Sequence, residues 1–243
     1  MAVTDTQPVL AAPAPPDLSA QDVVELGPPM GGLVFSPPPD GPRGIGAAAK
    51  RGIDVVGSVI LLVLAAPLFA VIAMSIKLDS PGPVFFRQQR MGRDGRRFRI
   101  YKFRSMVADA ELLRSALLAF NEVKPPLFKI RSDPRVTRVG RFLRRCSLDE
   151  LPQLINILTG EMSLVGPRPP FDHEFDDDYV HQCLRLHFRP GLTGLWQVSG
   201  RSGLDYERMI RLDLRYTREW SFWLDLKILF RTIPTVISGK GAC

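Results

Sequence analysis

Asp149 and Glu150 stand side by side in Ser147-Leu148-Asp149-Glu150, just after Arg144 and Arg145. Paired carboxylates can divide acid–base work, or one can act as a nucleophile beside the other. An ionised Asp can attack phosphorus and form an acyl phosphate. Repulsion between that anion and a pyrophosphate must be screened, which calls for Mg2+ and several arginines. The same four residues match a capping box, with Ser147 as N-cap and Glu150 at the third helical position. Capping alone explains the pair without chemistry, and local sequence leaves both readings open.

The arginines that such chemistry needs are spread along the chain. Arg168 lies in Gly166-Pro167-Arg168-Pro169-Pro170, where adjoining prolines restrict its backbone and pre-orient the guanidinium. Arg201 ends a glycine-rich stretch beginning at Arg189-Pro190-Gly191, which permits either close approach to a ligand or simple turns. Lys102 and Arg104 alternate with aromatics in Tyr101-Lys102-Phe103-Arg104, so a strand would project both from one face. A rigid loop for Arg168 and a solvated strand face for Lys102 and Arg104 are the plain alternatives.

Other candidates carry less. Asp172-His173-Glu174 and Asp176-Asp177-Asp178 read as a solvated loop or helix end rather than a metal site. His173, His181 and His187 lack a ligand spacing, and Cys146, Cys183 and Cys243 show neither CxxC nor metal spacing. There is no Walker A loop, GxGxxG fingerprint, zinc-finger spacing or aromatic-rich RNA motif. The net charge of +7 suits anionic partners. Among these, acidic lipid and phosphorylated substrates fit better than nucleic acid, which would waste the apolar segment described next.

An uncharged apolar run spans Val55 to Ile76, broken by Pro67 and flanked by Lys50 and Arg51 on one side and by Lys77 and Arg87 on the other. At about 1.5 Å per residue it is just long enough to cross a bilayer core of roughly 30 Å. Positive flanks favour the cytoplasmic side, so a simple crossing would misplace one of them. A helix that bends at Pro67 and returns to the same face satisfies both; an ordinary spanning helix is the competing reading. Asp54 near its start is expected at head-group level.

Around this segment the elements follow from local pattern. Residues 1–45 are rich in Pro, Ala and Gly and read as a disordered tail, followed by a membrane element over 46–79 with its helix at Ala47–Lys77. Val84–Arg90 and Arg97–Phe103 form a hairpin turning near Asp94-Gly95. Helices are expected over Ala108–Phe120, Arg138–Arg145, from Ser147 to about Leu158 with closure at Thr159-Gly160, and over Tyr206–Tyr216. Trp220–Ile237 reads as an interfacial amphipathic segment.

Taken in order, five motifs resemble those of the bacterial sugar transferase family, the small monotopic phosphoglycosyl transferases. They are Lys50-Arg51-Gly52-Ile53-Asp54-Val55, Tyr101-Lys102-Phe103-Arg104-Ser105-Met106, Ser147-Leu148-Asp149-Glu150-Leu151-Pro152-Gln153-Leu154, Gly166-Pro167-Arg168-Pro169, and Arg189-Pro190-Gly191-Leu192-Thr193-Gly194. The resemblance covers about Lys50 to Gly241. It implies a re-entrant helix and a site on the cytoplasmic face of the bacterial inner membrane. It also implies transfer of a sugar 1-phosphate from a UDP-sugar to undecaprenyl phosphate, with release of UMP. On that resemblance Asp149 is the nucleophile, lying close to a required Mg2+, and Glu150 is the neighbouring acid. Arg168 matches the proline-flanked arginine, and Lys102, Arg144 and Arg201 match further basic residues around the substrate phosphates. Many members carry Ser before the membrane proline; here Ala66 stands there, so other groups must support a bend. The cluster Trp220–Lys227 looks like that of members that start exopolysaccharide or capsule synthesis, and it does not identify the sugar.

The expectation is a mainly helical α+β monotopic membrane protein with a Pro-bent re-entrant helix, a short β-hairpin, surface amphipathic helices and a cytoplasmic catalytic domain over 80–243. Its partners would be a UDP-sugar, undecaprenyl phosphate, the membrane and downstream glycosyltransferases, with no nucleic acid. The alternative is a non-catalytic basic module at the membrane surface that recruits polysaccharide-synthesis partners.

Overall fold

The computed structural model describes residues 41–123, 126–172, 174, 183–239 and 241. The expected tail therefore lies almost wholly outside the described residues, as do His173, His181, Asp176, Asp177, Asp178 and Cys243.

Helix α1 runs from Gly44 to Asp79 and continues through Pro67. Ser80 closes it by donating its N–H to the Ile76 carbonyl at 3.1 Å, and Pro81-Gly82-Pro83 follows at once. Val59, Ile60, Val63, Leu64, Val71 and Met74 are all exposed. An apolar surface left bare by the rest of the protein is the composition of a helix that meets lipid. By length and composition α1 is sufficient to cross a membrane.

Both ends of α1 dock on the same compact body. Near its start Lys50 Nζ donates to Asp225 Oδ2 at 2.6 Å and to the Val165 carbonyl at 2.8 Å. Arg51 donates to the carbonyls of Ile157 and Leu158 at 2.6 and 2.9 Å. Asp54 is buried within the protein. Its Oδ1 accepts from Ser163 Oγ at 3.0 Å and Leu164 N at 2.8 Å, and a buried carboxylate is tolerated only with such donors. Near the other end Ile72 and Ile76 pack with Phe103 and Leu143, and Phe69 meets the Phe103 ring edge-on at 4.8 Å. Asp79 Oδ2 accepts from Val139 N at 3.0 Å.

The hairpin forms as expected. Strands β1 (Phe85–Met91) and β2 (Arg97–Phe103) pair antiparallel with Phe85 opposite Phe103 and Met91 opposite Arg97. Asp94 and Gly95 take the left-handed conformation (φ 58° and 72°) that an Asp-Gly turn favours. The helix expected over Ala108–Phe120 does not form: the stretch is a chain of turns ending in a 3-10 helix, Ser115–Phe120. Leu112, Leu118 and Phe120 remain exposed, so no packing supports a longer helix, and propensity alone rarely holds one this short.

Helix α2 spans Arg138–Arg145, with Thr137 Oγ1 accepting from Gly140 N at 3.0 Å. Gly140 lies so close to the Ser105 carbonyl that a Cβ would overlap it. Helix α3 covers Gln153–Thr159 and ends at Gly160 in the left-handed region (φ 86°), as Thr159-Gly160 indicated. Short strands β3 (Ser163–Val165) and β4 (Gly191–Thr193) pair in parallel. Asp205 caps α4 (Tyr206–Glu219) and Ser221 caps α5 (Phe222–Ser238). Helix α5 is amphipathic: Asp225 and Ile228 face inward while Trp223, Phe230, Ile233 and Ile237 are exposed. The core joins Phe98 and Ile100 of β2, Leu154 and Ile157 of α3, Leu164 of β3, Tyr216 of α4 and Ile228 of α5. The fold is thus mainly helical with two small sheets.

Candidate active site

The link between α2 and α3 sets the carboxylates. Ser147 adopts φ 55°, ψ 20°, and its side chain caps nothing. An N-cap needs extended backbone, so the expected capping box does not form. A 3-10 turn, Leu148–Glu150, comes first, and α3 begins only after Pro152. The Ser147 hydroxyl instead accepts from Arg201 Nη2, and the Glu150 carboxylate accepts from Lys102 Nζ at 2.7 Å. Glu150 is therefore spent on a cation across the site, not on the helix terminus.

Asp149 is buried, and among the described residues no other residue donates a hydrogen bond to its carboxylate. Burial pushes its pKa up; the Lys102 ammonium opposes this and the Glu150 charge adds to it. Burial also acts on Glu150, but the charge and hydrogen bond of Lys102 outweigh it and hold that carboxyl below the usual range. The two neighbours thus differ in their affinity for a proton. Glu150 is held anionic against Lys102, while Asp149 is the more basic of the two carboxylates.

These groups open into a cavity of about 300 Å³. Lys102, Arg144, Arg168 and Arg201 all line it, so four of the five basic residues singled out in the sequence converge there. Arg144 Nε donates to Ser105 Oγ at 2.9 Å. The Arg168 guanidinium grips both oxygens of Glu174 at 2.8 and 2.9 Å, and its backbone N–H donates to Asp213 Oδ2 at 3.0 Å. Arg185 Nη2 braces the same loop through Asp213 Oδ2 and the Arg168 carbonyl, each at 2.7 Å. Glu174, read from sequence as part of a solvated stretch, is completely buried because it neutralises Arg168.

Arg104 does not line this cavity. It sits one residue beyond β2 and donates to the carbonyls of Pro81 and Ser80 at 2.5 and 2.7 Å, fastening the turn after α1. The expected common face with Lys102 is lost because the strand has already ended.

Sequence reasoning missed Arg90, Gln153 and Trp196, all on the cavity wall. Arg90 is buried with its guanidinium 3.1 Å from the Phe171 ring centroid. Gln153 is almost fully buried and faces the Glu150 carboxylate, helping to keep its pKa low, while Trp196 Nε1 lacks a hydrogen-bond partner. Gln153 follows Asp149 by four residues, a helical spacing that could have flagged it. Arg90 has no such signal.

The donor set suits a hard divalent cation bound with its substrate. Asp149 offers a buried carboxylate to which, among the described residues, no other residue donates, and Glu150 lies next to it. Among the described residues no cluster of three or more His, Cys, Asp or Glu could cage a metal alone. Mg2+ binds in this manner, through one or two carboxylates plus substrate phosphates.

Comparison with known proteins adds an independent line. The model of the family described as bacterial sugar transferase matches residues 45–239. Galactosyl transferase CpsE of Streptococcus agalactiae is 46% identical over 195 residues, covering 80% of this chain and 43% of that protein. Undecaprenyl-phosphate galactose phosphotransferase of Salmonella typhimurium is 43% identical over 197 residues, covering 79% of this chain and 41% of that protein. Exopolysaccharide production protein ExoY of Rhizobium meliloti is 42% identical over 207 residues, covering 82% of this chain and 90% of that protein. The chain spans less than half the length of the first two relatives and nearly all of the third. With the match running from the first turn of α1 to the end of α5, the chain belongs to the bacterial sugar transferase family.

Proposed function

We propose that this chain transfers a sugar 1-phosphate from a UDP-sugar to undecaprenyl phosphate on the cytoplasmic face of the bacterial inner membrane. The observation that carries the reading is Asp149: a buried carboxylate to which, among the described residues, no other residue donates, next to the Lys102–Glu150 pair, in a cavity ringed by Arg90, Arg144, Arg168 and Arg201. Relatives named for undecaprenyl-phosphate galactose and glucose transfer support the substrate classes.

An Asp149 oxygen attacks the β-phosphorus of the UDP-sugar. The bond from that phosphorus to the bridging oxygen breaks, UMP leaves with the electron pair, and a phosphosugar–aspartyl intermediate remains. A phosphate oxygen of undecaprenyl phosphate then attacks the same phosphorus and expels the Asp149 carboxylate. The product is a lipid-linked sugar diphosphate, a substrate for downstream glycosyltransferases that build exopolysaccharide or a related glycan. The arginines hold the two anionic substrates together, and that positioning supplies much of the rate. Asp149, with Glu150 alongside, would hold Mg2+, which would supply further neutralisation of phosphate charge.

The membrane arrangement follows from lengths. Ser58 and Ile72 are buried against the body, and thirteen residues separate them. That stretch measures about 20 Å at roughly 1.5 Å per residue, against a bilayer core of roughly 30 Å. A helix tied to one body at both ends, with so short a free middle, fits a re-entrant or embedded path better than a crossing. Replacing Asp149 by Asn and measuring UMP release from UDP-sugars in nanodiscs tests the reading. Release should fall at least about 1,000-fold; turnover near that of the parent would remove Asp149 from the mechanism.

A further inference from the structure

A second cavity, of about 500 Å³, adjoins the polar one and differs from it in character. Leu61 of α1, Leu164 of β3 and Leu229, Ile233, Val236 and Ile237 of α5 make its walls apolar. Leu61, Ile233 and Ile237 are themselves exposed, so the cavity borders the bare apolar surfaces of α1 and α5. Ser147, Glu150, Leu192, Gln197 and Arg201 line both cavities and form the seam between them. At that seam two buried polar atoms lack partners, Arg201 Nη1 and Gln197 Oε1. A buried guanidinium N–H without an acceptor is costly and marks a place where an anionic oxygen is missing.

We infer that the cavity between α1 and α5 receives the phosphate-proximal isoprenoid units of the lipid acceptor, with the lipid phosphate at the Arg201 seam. The inference rests on the transferase reading above and adds to it a path and a division of labour. An amphiphile with an apolar chain and a phosphate head matches an apolar cavity that ends at an unsatisfied guanidinium. The donor enters from the polar side, against Arg90, Lys102, Arg144 and Arg168. The acceptor enters laterally from the bilayer, and Arg201 serves its phosphate rather than the donor pyrophosphate. The two substrates meet beside Asp149 and Glu150 without exchanging solvent environments. Pockets of this size bury a ligand mainly through apolar contact, and a few polar groups fix its orientation.

Filling the cavity tests this. In Ile233→Trp the indole occupies the space beside Leu229 and Val236 at a position already exposed, so the fold is preserved. KM for undecaprenyl phosphate should rise about tenfold, while single-turnover UMP formation without acceptor stays at the parent value. Ile233→Leu should keep the parent KM. An unchanged acceptor KM in the Trp variant overturns the assignment. Should the Trp variant lose its single-turnover UMP as well, the parent protein decides the matter through a polyprenyl phosphate carrying a diazirine in its first isoprene units. Labelling of Leu61, Leu229, Ile233 or Val236 supports the cavity, and labelling confined to other segments overturns it. If the parent forms UMP and a covalent adduct but labels elsewhere, the path fails while the transferase reading stands. If the parent forms no UMP from any UDP-sugar, the transferase reading fails, and the path built on it with it.

Discussion

Burial makes the Asp149 carboxylate expensive to keep charged, and in the proposed mechanism the same burial makes it the stronger nucleophile. Its pKa is raised, so the folded protein binds a proton there more readily than the unfolded chain does. That contribution to stability is full below the unfolded pKa and is lost as pH rises through the folded value. Asp149→Asn is therefore expected to melt higher than the parent at pH 7, with the gap closing as pH falls toward about 4, in thermal melts followed by circular dichroism. Lys102 lowers the pKa of Asp149, so Lys102→Met should move the acid limb of the pH–rate profile upward. A limb that stays in place would separate Lys102 from the nucleophile. Much of this site was legible because an adjacent carboxylate pair and a proline-flanked arginine are local features. The capping box was misread because the group that claims the Ser147 hydroxyl, Arg201, is remote in sequence. Glu174 was misread for the same reason in reverse: an acidic run looks solvated until Arg168 folds back on it.

Helix α2 shows how elements hold the site. Gly140 lets α2 press against the Ser105 backbone, and that contact places Arg144 beside Ser105 Oγ. Gly140→Ala should cost about 2 kcal/mol through overpacking. It should also weaken UMP release, as a melt and a rate on one sample would show; full activity would mean that Arg144 is positioned by other contacts. Asn156 on α3 accepts from Tyr101 N at 3.0 Å and donates to the Arg99 carbonyl at 2.8 Å, fastening β2 to the helix. Asn156→Ala leaves both backbone groups without a partner and should lower stability by about 2–3 kcal/mol in urea unfolding. The hairpin and the caps of α2 and α4 follow from short-range rules: Asp-Gly for the turn, Thr137 and Asp205 for the N-termini. The stretch 108–120 did not follow composition, because a helix needs a surface to lie on and Leu112, Leu118 and Phe120 have none.

At the scale of the whole molecule, an apolar helix is tied at both ends to a body that carries a cavity lined by Arg90, Lys102, Arg144, Arg168 and Arg201. The run from Val55 to Ile76 declared lipid contact in the sequence. Its two docking points, Lys50 with Asp225 and Ile76 with Phe103 and Leu143, involve partners far along the chain and were not visible there. The re-entrant reading expects both ends of α1 on one side. Ile45→Cys and Leu78→Cys, each exposed, should both react with an impermeant maleimide from the cytoplasmic side in a background free of other cysteines. Labelling from opposite sides would indicate a crossing. The proposed transfer requires a water-soluble donor and a lipid acceptor to react through one carboxylate at the membrane surface. Incubation of the intact protein with a UDP-sugar and Mg2+ in the absence of lipid acceptor, followed by peptide mass spectrometry, addresses this directly. A phosphosugar mass on the peptide containing Asp149, with one equivalent of UMP released, is the predicted result. A phosphosugar carried by any other side chain would contradict it.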